Sequence, residues 1–178
     1  VSMSYPNCKA TLARRNKKGT EGKKGSLRDK IRSVNGLTTQ QQAALAQVLS
    51  HYPVVAAYLY GSVAAGIATP LSDVDIALVI VENSVPKDQR LHFELNAEIE
   101  ISDKCSLPNA DVRTINDAPI MVRGEVVTNG ILLYTGNDEA RVEFETRTMS
   151  EYFDYYPIYE FFRRAYFADI RKRGLVRA

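Results

Sequence analysis

Residues 61–75 read Gly-Ser-Val-Ala-Ala-Gly-Ile-Ala-Thr-Pro-Leu-Ser-Asp-Val-Asp, a Gly-Ser pair followed ten residues later by two alternating aspartates. Asp73 and Asp75 are two apart, so on a strand they share a face and stand roughly 6.6 Å apart at about 3.3 Å per residue. Carboxylates so spaced can share cations about 3.5–4 Å from one another, the separation found in two-metal phosphoryl-transfer sites. Their oxygens suit Mg2+, which keeps several waters and binds through one or two carboxylates plus substrate phosphate. Gly61 lets the backbone come close to a phosphate. Ser62 adds a hydroxyl where a short helix can begin, and turn amides and helix N-termini attract anions. The plain alternative is an N-capping Ser72-Asp73 turn before an edge strand, with Asp75 facing solvent. That alternative leaves two aspartates in one strand without a reason, since Asp is depleted in strands. The run reads as a metal-and-phosphate site that handles a nucleotide.

Two apolar strands must hold these residues. Residues 54–60 form the first and end at Gly61. Residues 74–81 form the second, with Val74, Ile76, Leu78 and Ile80 on the face away from the carboxylates. Thr38 or Thr39 caps a helix through Leu49, with Ala43, Leu45, Ala46 and Leu49 on its apolar side. Pro86 starts a helix to about residue 99, whose stripe is Leu91, Leu95 and Ile99. Residues 111–115 are a third strand, Pro119 starts a short helix over 122–126, and 131–134 are a last strand. Residues 137–173 are helical in pattern. Met149, Tyr152, Tyr156 and Tyr159 fall near one stripe there, Phe162, Tyr166 and Ile170 near another, and Pro157 is expected to kink or break the segment.

The length fits one domain, and 45% apolar with 25% charged residues is the make-up of an ordinary globular chain. No run of 18 apolar residues marks a transmembrane helix, and the N-terminus lacks the apolar stretch of a secretory signal. A start at Val1 suggests a fragment, a processed end or an over-extended reading frame. Cys8 and Cys105 have no motif spacing, which fits a reducing cytoplasm and no disulfide framework. His51 and His92 lack partners at ligand spacing and read as ordinary surface or helix residues. The net charge of +2 hides an asymmetry: residues 1–32 hold ten basic and two acidic residues (+8), the remainder 13 and 19 (−6). Residues 1–26 therefore read as a disordered basic tail and 27–178 as the domain. The acidic domain argues against a basic nucleic-acid groove on it, although such a tail could bind nucleic acid.

A third carboxylate completes many nucleotidyl-transfer sites, as metal ligand and base. The best candidate is Asp111, at the head of the third strand in Asn-Ala-Asp-Val-Arg-Thr-Ile-Asn, against the reading of a plain strand-edge aspartate. Asp103 and Asp117 read as loop or N-cap residues. With Gly61, Ser62, Asp73, Asp75 and Asp111 in place, the chain resembles the minimal nucleotidyltransferases of the DNA polymerase beta superfamily. Asn116-Asp117-Ala118-Pro119, Gly124, Leu132-Leu133-Tyr134 and the closing acidic-aromatic helix with Pro157 are similar to that family's downstream pattern. The resemblance spans roughly residues 37–174 and is greatest to the MntA-type antitoxins.

The resemblance implies an α/β (α+β) fold, a small mixed sheet flanked by helices, with a long aromatic C-terminal helical segment. It implies nucleotide binding through Gly61 and Ser62, and Mg2+ held by Asp73, Asp75 and Asp111. It also implies AMP transfer from ATP to a tyrosine of a HEPN ribonuclease toxin. The chain departs from the family where Val63, Ala64 and Ala65 stand in place of a turn arginine, so a cation must come from Arg113, from Arg123 or from nowhere. Two alternatives remain: an antitoxin that binds and occludes without catalysis, and nucleotidyl transfer to a small molecule such as an aminoglycoside. The aromatic surplus over 152–167 is either an interface rich in Tyr or a broad core stripe.

Overall fold

The computed structural model describes residues 33–34, 37–69 and 71–174; the expected basic tail, 1–26, and the expected start of the domain at 27 lie outside them. A short antiparallel pair, β1 (Ser33–Val34) and β2 (Leu37–Thr38), leads into α1 (Thr39–Leu49). Thr38 caps α1: its hydroxyl accepts from the Gln41 N–H, and the Gln41 side chain accepts from the Thr38 N–H, satisfying two otherwise orphaned donors. Leu45, Val48 and Leu49 are its buried residues, while Ala43 faces solvent. There follow β3 (Val54–Tyr60), α2 (Gly61–Ala64) and β4 (Val74–Ile80). A 3-10 turn at Lys87–Gln89 precedes α3 (Arg90–Cys105), and then come β5 (Ala110–Thr114), α4 (Ile120–Asn129), β6 (Ile131–Thr135) and α5 (Asp138–Arg173).

The sheet order is β5-β4-β3-β6. β3 runs antiparallel to β4 and β6, and β4 parallel to β5, so β4 and β5 need a crossover, which α3 supplies. Strand alternation splits the core in two. Ala57, Ile76, Leu78, Ile80 and Val112 pack with Leu45 and Leu49 of α1 and Ala97 and Ile101 of α3. Ala56, Tyr58, Ala77 and Val79 pack with Val126 of α4 and Phe144 of α5. Asp75 belongs to the second set by parity, so the carboxylates share the face of α4 and α5. Among the described residues no helix is long and apolar enough to cross a membrane.

Two expectations are corrected by the packing. Leu91, Leu95 and Ile99 are exposed, and the buried side of α3 is Glu94, Ala97, Ile101 and Cys105. Glu94 turns the helix: its carboxylate accepts from the Thr114 N–H at 2.8 Å and from the Thr114 hydroxyl at 2.5 Å. A buried carboxylate needs such partners, and a hydrophobicity pattern does not register one. Pro157 does not end α5, which runs unbroken past it. The proline removes the one helical hydrogen bond that its N–H would give to the Phe153 carbonyl, and Glu160 ties the next turn through Arg163 at 2.7 Å and Arg164 at 3.3 Å.

The first half of α5 packs on α4 through Phe144, Thr148 and Tyr152. Gly124 makes this approach fit, because a Cβ there would lie 2.0 Å from the Tyr152 ring. In an open helix Gly→Ala gains up to about 1 kcal/mol. Here Gly124→Ala is expected to lose about 1–3 kcal/mol through overpacking, lowering the melting temperature by several degrees. An unchanged or higher melting temperature would mean that α5 sits elsewhere.

Candidate active site

The register of the sheet builds the site. Tyr60 of β3 lies opposite Asp75 of β4, and Asp75 opposite Asp111 of β5. The three form one row across neighbouring strands about 4.8 Å apart, where β3 turns into α2. Partners in register share a face, so Asp75 and Asp111 face the same side. Asp73 precedes β4 by one residue and is exposed. Ser62 is in the single turn of α2, directly after Gly61.

Gly61 closes the row. Its φ is +69°, and a Cβ on it would lie 2.1 Å from Asp75 Oδ2. Both the backbone angle and the space demand glycine. The Asp75 carboxylate thus rests on the bare backbone of the turn that follows β3.

The electrostatics match this crowding. Burial, then the charges of Asp111 and Asp73, push the Asp75 carboxyl above its ordinary range. Burial, then Asp75 and Asp111, raise the Tyr60 phenol, which therefore stays protonated at neutral pH. Arg113 Nε is 3.0 Å from Asp111 Oδ1 and Nη1 is 3.6 Å from Glu94. The first contact is an ion pair by distance but not by hydrogen-bond direction, so Asp111 Oδ1 is buried without a hydrogen-bond partner.

The structure thus brings together Gly61, Asp75 and Asp111, with Ser62 and Asp73 on the flanks. Of the two candidate cations, Arg113 joins the row, whereas Arg123 is bound 3.0 Å from Glu151 of α5. Asp117 is a loop residue paired with Arg90 at 3.1 Å and Lys87 at 3.5 Å. Asp103 lies inside α3 rather than in a loop or cap. Tyr60 and Glu94 are site neighbours that the motif did not single out; the position of Tyr60 just before Gly61 was the available signal for the first.

Among the described residues no group of three or more His, Cys, Asp or Glu side chains converges as a metal cluster. Two in-register carboxylates, one with an orphaned oxygen and one with its pKa raised by burial and then by like charge, are nonetheless a donor set for a hard divalent cation. Such a cation would relieve the repulsion between them. A cavity of about 340 Å3 lined by Val55, Ile80, Arg90 and Asn116 lies at the other end of the sheet and has no part in this row.

No curated protein sequence matches the chain significantly. Solved structures do. A toxin–antitoxin crystal structure with AMP-PNP is 20% identical, with 73% of this chain and 98% of that chain covered and a TM-score of 0.54. A mutant of the toxin–antitoxin MntA-HpeT is 19% identical over 73% and 98%, with a TM-score of 0.55. A structure from Shewanella oneidensis is 18% identical over 75% and 98%, with a TM-score of 0.50. At these identities the likeness is one of fold. The family model described as "Polymerase beta, Nucleotidyltransferase" matches residues 43–139, more than half of the chain. With that match the Gly-Ser turn and the carboxylate row have their setting: this chain belongs to the polymerase beta nucleotidyltransferase family.

Proposed function

We propose that the chain is the antitoxin of a HEPN ribonuclease toxin and silences it in the cytoplasm by moving AMP from Mg2+-ATP onto a toxin tyrosine. The observation that carries this reading is the in-register pair Asp75 and Asp111 closed by Gly61. Support also comes from the family and from a similar fold in a toxin–antitoxin structure with AMP-PNP. Gly61 and Ser62 take the triphosphate beside the row. Asp73 and Asp75 hold Mg2+, and Asp111 joins them while facing the acceptor. When bound, the metal offsets phosphate charge and acidifies the attacking hydroxyl. The tyrosine oxygen bonds to the α-phosphorus, the bond to the departing pyrophosphate breaks, and Asp111 takes the phenol proton. Arg113 supplies positive charge where the α2 turn has none.

Incubation with ATP, Mg2+ and the HEPN protein of the adjacent reading frame is expected to add one AMP mass, or a short series, to a toxin tyrosine. Mass spectrometry reads this directly. Asp111→Asn is expected to lower kcat by about 100-fold or more with little change in apparent ATP affinity, because a base acts in the transition state. A wild-type kcat in Asp111→Asn would remove Asp111 from the chemistry.

Occlusion is the second reading, and the ion pair of Arg113 with Asp111 favours it, since a neutralised carboxylate is a poorer ligand. Under occlusion the toxin is silenced without added mass, and Asp75→Asn silences it equally well.

A further inference from the structure

The face that α5 buries in its first half continues, uncovered, through its second. Phe144, Thr148 and Tyr152 are buried. Tyr155, Tyr159, Phe162 and Tyr166 continue the same alternation of three and four residues, which keeps one helix face, and all four are exposed. α4 is what ends. It runs against α5 with Gly124 at Tyr152 and Arg123 at Glu151, and its first residue, Ile120, borders a groove with Tyr155 and Ile158. Beyond that point the stripe lies along the line of α4, and among the described residues no helix lies on it. The arm, residues 153–173, is about 30 Å long at 1.5 Å per residue.

We infer that this arm is the docking element for the acceptor toxin and takes an apolar, acidic-flanked helix of it end to end with α4. The inference rests on the toxin reading above and assigns the surface that reading leaves open. Eight aromatic rings on the arm are 38–68% exposed. At about 150–250 Å2 per ring, the four on the stripe expose on the order of 400 Å2, about half of one partner's share of a standard interface. Charge selects the occupant. The arm holds five basic and three acidic residues (+2), whereas residues 33–152 hold seven and 16 (−9). Glu160 pairs with Arg163 and Arg164, and Asp169 with Arg173, so Arg171 and Lys172 stand outside these pairs. A second copy paired arm to arm would set basic arm against basic arm and bring two acidic bodies together. A partner of mirrored polarity, acidic along the arm and basic over the carboxylate row, satisfies both ends and orients its acceptor tyrosine towards Asp75 and Asp111.

The test uses the full chain and the HEPN protein of the adjacent reading frame. A chain carrying Phe162→Asp and Tyr166→Asp is expected to bind that protein at least 100-fold more weakly by calorimetry. Its melting temperature and its Mg2+-ATP affinity should match wild type, because both rings are exposed and distant in sequence from the row. Phe161→Asp, off the stripe although its ring touches Phe162, should weaken binding much less than the double variant does. If the double variant binds as tightly as wild type, the arm is not the docking element, and the toxin reading is untouched. If light scattering finds a wild-type dimer that the double variant loses, the occupant is a second copy and this assignment is overturned. If wild type forms no complex at all, the toxin reading fails and takes the docking assignment with it.

Discussion

Asp75→Asn is expected to lower nucleotidyl transfer by about 1000-fold or more while the metal-free protein melts at the same temperature or higher. Loss of one metal-holding charge removes several kcal/mol of stabilisation from the transferred phosphoryl group, and each 1.4 kcal/mol is about tenfold in rate. The fold responds in the opposite direction. Burial and the charges of Asp111 and Asp73 raise the Asp75 pKa above its unfolded value, so the folded chain binds more protons than the unfolded chain between those two values. Stability therefore falls as pH rises through that window, and the loss is complete above the raised pKa. Asn carries no charge and escapes it. The melting-temperature difference between Asp75→Asn and wild type should be smallest in acid, below both pKa values, and grow as pH rises through the carboxylate range.

Mg2+ provides the complementary measurement. A ligand that binds only the folded state stabilises it, by about 2.7 kcal/mol at 100 times its Kd. Wild type should melt higher in Mg2+ and ATP, and Asp75→Asn should gain much less. Full activity in Asp75→Asn would end the catalytic assignment. A large fall in melting temperature without metal would instead make Asp75 a structural residue, held by contacts beyond its crowded neighbours.

Much of this architecture is legible from residue order. The strand at 54–60, the Gly-Ser turn and the strand that carries Asp75 form where their apolar periods and small residues place them, whereas Asp73 falls one residue before that strand instead of on it. Asp111 was identified by its position at the head of a strand, and the parallel register sets it beside Asp75. The failures have physical causes. On α3 the aliphatic stripe Leu91, Leu95 and Ile99 faces solvent, because a hydrogen-bonded Glu94 occupies the core side instead. On α5 Pro157 was expected to kink or break the helix, and the break does not occur, because one missing hydrogen bond is outweighed by the turns on either side. The ion pair of Arg113 with Asp111 spans adjacent strand positions on one face, so spacing allowed it, yet only the packing of Glu94 shows why Arg113 is held there. The aromatic surplus read from the sequence as core or interface lies outside the core beyond Tyr152, because α4 is too short to cover it.

Gly61→Ala should be as damaging to transfer as the loss of the Asp111 carboxylate, although it removes no functional group. A residue with a side chain at φ +69° is strained, and the left-handed conformation costs roughly 1–2 kcal/mol. The added methyl also lies 2.1 Å from Asp75 Oδ2, so the carboxylate must turn off the Gly61 backbone and out of line with Asp111. Sub-ångström placement governs phosphoryl transfer, where an error of about 1 Å costs on the order of 100-fold. The two effects separate in a double-mutant cycle. In an Asp75→Ala chain the methyl meets no carboxylate, so Gly61→Ala should lower stability there only by the backbone strain. In the wild-type chain the same substitution should lower it by strain plus displacement, and the difference is the coupling between the two positions. Equal losses in both backgrounds would show that Asp75 does not rest on Gly61, and that the glycine serves the turn alone.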